Sequence, residues 1–162
     1  METVIENAWL LPLSENGIYD IKFNNDICFC RIYSGKYLSE KLNLRKEDTF
    51  IESLNNPSAI MPTEPYDNYT KLLDNINKII NGVENKDKDE KNSIKLQYSD
   101  IDKVVFDKGD RYKFASIEFL SKNTYRFIIV HYDFMKYAGI EDDNNIRKIL
   151  ENKFPNKYET VK

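Results

Sequence analysis

Ile94-Lys95-Leu96-Gln97-Tyr98-Ser99-Asp100-Ile101-Asp102-Lys103-Val104 is the stretch on which the reading of the fold turns. Ile94, Leu96 and Tyr98 alternate with Lys95 and Gln97, the period of two that places one face of a strand in a core and the other in water. Ser99-Asp100 interrupts, and Ile101 to Phe106 resumes an apolar run. Asp107-Lys108-Gly109-Asp110 carries hairpin-turn chemistry, because Asp and Gly accept the left-handed backbone such turns need. Tyr112 to Leu120 and Thr124 to Tyr132 follow as two long strand segments around Ser121-Lys122-Asn123. Turn-separated strands in this order describe an antiparallel meander.

Upstream, Tyr19, Ile21 and Phe23 alternate with Asp20 and Lys22, Asn24-Asn25-Asp26 forms a turn cluster, and Ile27 to Tyr33 returns. Residues 18–33 therefore read as a hairpin. The next segment changes period. Leu38 and Leu42, then Phe50, Ile51 and Leu54, have helical spacing, and Tyr69, Leu72, Leu73, Ile76, Ile79 and Ile80 share one helix face ahead of Asn81-Gly82. Val83 to Ser93 is a mixed-charge run without apolar periodicity, expected to be a solvated, mobile loop. At the other end, Asp143 or Asn144 caps a helix carrying Ile146, Ile149, Leu150 and Phe154 on one face, limited by Pro155. The expectation is a single domain over 1–162. It has sheet at 9–33 and 94–132, a helical insertion at 36–82, a charged loop at 83–93 and a C-terminal helix at 143–154.

This order of elements resembles the bacterial pleckstrin-homology-like (PH-like) domains. Residues 94–104 look like that family's "apolar-x-apolar-Pro-Tyr-x-Asp-Ile-x-x-Val" strand pair, with Gln97 where Pro is frequent. The resemblance spans 18–33 and 94–154. It implies an α+β fold: a mainly antiparallel bent sheet, or partly open barrel, closed by the C-terminal helix, here with about sixty residues inserted at 34–93. Family members that bind phosphoinositides carry Lys and Arg in the loop after their first strand. With Trp9 to Leu13 as that strand, the loop is Ser14-Glu15-Asn16-Gly17, which has no basic residue, so phosphoinositide binding is disfavoured.

Composition narrows the chemistry. The 162 residues hold 24 Lys+Arg against 27 Asp+Glu, a net charge of −3, which does not provide the basic surface a general nucleic-acid binder needs. Leu38 to Leu54 has the spacing of a helix-turn-helix, with Asn43 at the turn and Thr49 entering the second helix. Residues 36–56 nevertheless carry four basic and four acidic side chains, which cancel. A DNA-associated regulator using 38–54 is thus an alternative rather than the leading reading. One His and two Cys exclude His-rich metal sites and a disulfide framework, and no metal or cofactor is expected. Cys28-x-Cys30 reads first as two buried small hydrophobes. His131 with Asp133 could orient a base in a small enzyme with a cleft near His131, but no nucleophile turn accompanies them. No segment reads as a secretory leader or membrane span, and the cytoplasm is the expected compartment. What remains is a non-catalytic binding or scaffolding module for a protein or peptide. Its candidate contact residues are the strand aromatics Tyr112, Phe114, Tyr125, Phe127 and Tyr132.

Overall fold

The computed structural model describes residues 3–11, 13–37, 92–108, 115–129 and 144–161. Among them, eight strands form one sheet. In chain order these are β1 (Thr3–Leu10), β2 (Gly17–Phe23), β3 (Ile27–Tyr33), β4 (Ile94–Leu96), β5 (Lys103–Asp107), β6 (Ala115–Leu120), β7 (Thr124–Ile129) and β8 (Tyr158–Thr160). Helices α1 (Leu13–Asn16) and α2 (Asn144–Lys153) accompany them. The spatial order is β4-β3-β2-β1-β7-β6-β5-β8. The hairpin β2–β3 and the meander β5–β6–β7 are local pairings of the kind alternation predicts. The N-terminal strand β1 joins them, antiparallel to β2 on one side and to β7 on the other.

β1 is bulged. Ile5 faces Ile21 and Ala8 faces Tyr19, so Glu6 and Asn7 together oppose the single residue Asp20. Asn7 takes a left-handed backbone, φ 56°, which Asn tolerates better than most side chains. Its N–H, taken out of the ladder, donates to Oδ1 of Asp20 at 3.1 Å. A bulge of this kind adds twist and bends the strand, while both flanking segments keep the same face toward the core.

The sheet rolls. Neighbouring strands lie about 4.8 Å apart, so in a flat sheet β3 and β6, four steps apart, would be separated by about 19 Å. Yet the Phe29 ring of β3 lies 5.3 Å from Phe119 of β6 and 4.8 Å from Phe127 of β7. Phe23 and Phe154 complete the aromatic centre, 6.1 Å apart, with Phe154 also 6.0 Å from Phe119. Ile146 and Leu150 of α2 are buried against the same cluster. Edge-to-face pairs of this sort add about 0.5–1.5 kcal/mol each beyond their area.

One end of the sheet is buried on both faces. Ala8-Trp9-Leu10, Gly17-Ile18-Tyr19, Ala115-Ser116-Ile117 and Phe127-Ile128-Ile129 are each buried at three consecutive positions. The middle residues form a row across the face away from the aromatic centre: Ser116 opposite Ile128, Ile128 opposite Trp9, Trp9 opposite Ile18, Ile18 opposite Tyr33. Tyr37 stacks on Tyr33 at 5.7 Å with an interplanar angle of 13°. Toward the other end the same face turns polar, with Asp20, Lys22, Cys28, Cys30 and Lys95.

The fold class expected from the sequence is corrected in three respects. β8 runs parallel to β5, so the sheet is mixed rather than an antiparallel PH-like sheet. The sheet is open, with β4 and β8 at its two ends and unpaired with each other. And α2 does not end the fold as a closing helix. It leads through the turn at 155–157 into β8, which bonds to β5 through Val104 N to Lys157 O and Val161 N to Phe106 O, both 2.9 Å. Salt bridge Lys103–Glu159, 2.7 Å, spans the same pair at the surface. The helical insertion at 36–82 and the loop at 83–93 fall, for residues 38–91, outside the described residues. The strand at the N-terminus starts six residues earlier than expected, because the Glu6-Asn7 bulge breaks the alternation that would reveal it.

Gly17, φ +99°, opens β2 where a Cβ would run into the Tyr33 carbonyl oxygen and come within 2.8 Å of the Gly35 nitrogen. Gly17→Ala is expected to lower the urea midpoint by the equivalent of at least about 1–3 kcal/mol, the cost of the backbone strain alone. An unchanged midpoint would contradict the tight approach of β2 to the end of β3.

Candidate functional site

The two ends of the rolled sheet meet at Tyr98. This residue opens a 3-10 turn (Tyr98–Asp100) directly after β4, held by Gln97 N–H donating to the Asp100 carboxylate at 2.9 Å. Its ring lies 5.6 Å from Phe154, just beyond α2, and its hydroxyl donates to the Asn24 carbonyl at 3.0 Å in the β2–β3 turn. Lys157 Nζ donates to the Tyr98 carbonyl at 3.1 Å. Burial first, and the nearby Asp26 carboxylate second, push the Tyr98 phenol up.

Between these groups lies a groove of about 100 Å³, open to solvent, lined by Tyr98, Lys153, Phe154, Pro155, Asn156 and Lys157. The local sequence explains it. Helix α2 stops before Pro155, and the chain reverses with Lys157 N–H and Tyr158 N–H both donating to the Phe154 carbonyl, at 3.2 and 3.0 Å. Phe154 is thereby held inward while Lys153 and Lys157 flank the opening. β8 leaves the groove as the edge strand of the sheet, and beside it Val161 is the exposed large hydrophobic among the described residues, at 40%. Arg147 fastens α2 to this edge: its guanidinium sits 5.5 Å over the Phe106 ring and donates to Thr160 Oγ1 at 3.1 Å.

The residues singled out by sequence lie elsewhere. Phe127 is fully buried, packed on Phe29 and Phe119. Tyr125 is half-buried with its ring 5.3 Å from Phe29. Tyr112, Phe114 and Tyr132 lie outside the described residues, as do His131 and the segment 38–54. The turn after β1 is α1, with Glu15 exposed and no cation. The groove lies beside the C-terminal helix and at a strand edge, the places where the sequence reading puts a partner, but its lining is not among the residues singled out there: in Lys153-Phe154-Pro155-Asn156-Lys157, Phe154 reads as a helix-face residue and Pro155 as a helix stop.

Cys28 and Cys30 also depart from the reading as buried small residues. Both are half-buried free thiols on the face of β3 turned away from the core, with Sγ atoms 3.3 Å apart. Burial, then the hydrogen bond to Cys30, raise the Cys28 thiol from 9.0 to about 11. Among the described residues no group of three or more His, Cys, Asp or Glu could hold a metal ion, and no helix is long and apolar enough to cross a membrane.

Comparison with protein-family models, with curated proteins and with solved structures returned no match, which leaves the pleckstrin-like resemblance without a relative behind it.

The folded state holds protons on Cys28, Tyr33 and Tyr98 that the unfolded chain gives up earlier. Stability linked to Cys28 is therefore complete below pH 9.0 and is lost as pH rises toward about 11. Urea midpoints measured across that window are expected to fall less steeply in Cys28→Ser than in the unaltered chain. Identical slopes would count against the raised thiol.

Proposed function

We propose that the chain is a non-catalytic binding module that takes a segment of a protein or peptide in the groove beside the end of α2, extending along edge strand β8. The observation that carries this reading is the groove itself. An aromatic and proline-lined slot built by Tyr98, Phe154 and Pro155 opens between two ammonium groups, Lys153 and Lys157, at the mouth of an edge strand. Each part has a recognition role. An edge strand offers main-chain hydrogen bonds to an extended segment, and a neighbouring pocket selects a side chain. The two lysines favour a segment carrying acidic residues around an apolar or aromatic one. Lys157 spends one of its three donors on Tyr98 and keeps two for a ligand carboxylate. β8 is only three residues long, so few main-chain bonds are on offer and the side-chain pocket carries most of the selectivity. Contacts of this size belong to transient complexes rather than permanent ones.

An extended peptide with one aromatic residue between acidic residues tests the reading in an NMR titration. Saturable shifts are expected at Tyr98, Asn156, Lys157 and Thr160. The double variant Lys153→Glu, Lys157→Glu is expected to weaken binding by about tenfold or more, equivalent to about 1.4 kcal/mol. Shifts confined to the opposite end of the sheet, or equal binding of a basic peptide, would overturn it.

A further inference from the structure

We infer that Cys28 and Cys30 form a two-sulfur site for a soft monovalent metal ion of the Cu(I) class. The site lies on the face of β3 turned away from the aromatic centre, distinct from the groove, and it stands on separate observations.

Strand alternation fixes the arrangement. Ile27 and Phe29 point into the core, fully buried, so Cys28 and Cys30 must share the opposite face. Ladder bonds hold β3 on both sides here, to Lys22 and Asp20 on β2 and to Lys95 on β4. The two sulfurs, in contact at 3.3 Å and half-buried, are brought together by the backbone before any ligand arrives. They lie off the core face, so they fill no core position, and a reactive single thiol would not need a partner two residues away.

Three ways of using such a pair can be compared. A disulfide would have to bridge same-face neighbours on an extended strand, whose Cα atoms are about 6.6–6.8 Å apart, the outer limit of disulfide spans. It would be strained and readily reduced, so the dithiol is the favoured state in a reducing setting. Tetrahedral zinc needs four ligands, and among the described residues no third His, Cys, Asp or Glu joins the two sulfurs. A soft ion that is satisfied by two thiolates needs nothing further, and thiolate sulfur selects Cu(I).

Charge completes the case. Binding follows Cu⁺ + 2 RSH → [Cu(SR)₂]⁻ + 2 H⁺: two S–H bonds break, two Cu–S bonds form, and no electron is transferred. The metal displaces both thiol protons, one of them lying between the two sulfurs, and the product carries one negative charge. Cys28 stands directly opposite Lys95 on one side and Lys22 on the other, whereas Cys30 stands opposite Asp20. The Lys95 ammonium opposes the burial and the Asp26 carboxylate that hold the proton on Cys28, and the two lysines are the neighbours through which charge on a bis-thiolate would be balanced.

The test is an anaerobic titration of the reduced full chain with Cu(I), supplied as its acetonitrile complex. Ultraviolet sulfur-to-metal charge-transfer absorbance is followed, and affinity is measured against a chromogenic Cu(I) chelator. One equivalent per chain is expected. Cys28→Ser and Cys30→Ser should each weaken binding by about 10²–10⁴, the advantage of two linked donors over one. Both positions lie off the core face and are half-buried, and circular dichroism reports whether each variant keeps its fold. Lys95→Glu, which leaves both sulfurs in place, should weaken binding several-fold. Unaltered affinity in a folded single-cysteine variant would overturn the site, as would Zn(II) competing at equal concentration.

Discussion

Everything in the sheet depends on one backbone ladder, the pairing of β1 with β2 on one side and β7 on the other. Without it the hairpin and the meander are separate pieces, each with an apolar face and no partner, and a lone hairpin is marginal in water. The constraint is demanding because it is non-local. Residues 8–10 must find residues 127–129, so a large loop closes before the central contacts form. The bulge at Glu6-Asn7 lets one strand serve both neighbours. It shifts register between Ile5 and Ala8 while keeping both on the core side, and the Asp20 carboxylate satisfies the amide that the shift releases.

Much of this was legible where one face of a strand is wet. The alternation of Tyr19, Ile21 and Phe23 locates β2, and Ile27 to Tyr33 coincides with β3. Ile146 and Leu150, spaced four apart, are the buried face of α2. The sequence was opaque where that rule stops applying. Consecutive burial at Ala8-Trp9-Leu10 leaves no alternation to read, and the bulge before it breaks the pattern again. β8 has three residues, Tyr-Glu-Thr, too short for any periodic signal, and its parallel pairing with β5 follows from the path of α2 rather than from its own side chains.

The candidate site was hidden for a related reason. Aromatic residues in the strands draw attention as contact surfaces, but Phe127 is needed to fill the interior of the rolled sheet. The groove is made by a reversal of the chain at Pro155 and by Tyr98, fifty-odd residues earlier in sequence, brought together only because the sheet curls until its ends approach. The cysteine pair shows the opposite failure. Spacing two residues apart correctly puts both thiols on one face; what composition could not supply is which face that is.

Both outermost strands are three residues long and carry a charge at their centre, Lys95 in β4 and Glu159 in β8. Open sheet edges invite stacking of one molecule on another into fibrils. Here two β4 edges brought together at their centres would oppose Lys95 to Lys95, and in β8 the central Glu159 is already engaged with Lys103, over a stretch of only three residues in each strand. Among the described strands, the two ends of this open sheet are thus poor templates for stacking copies of it edge to edge.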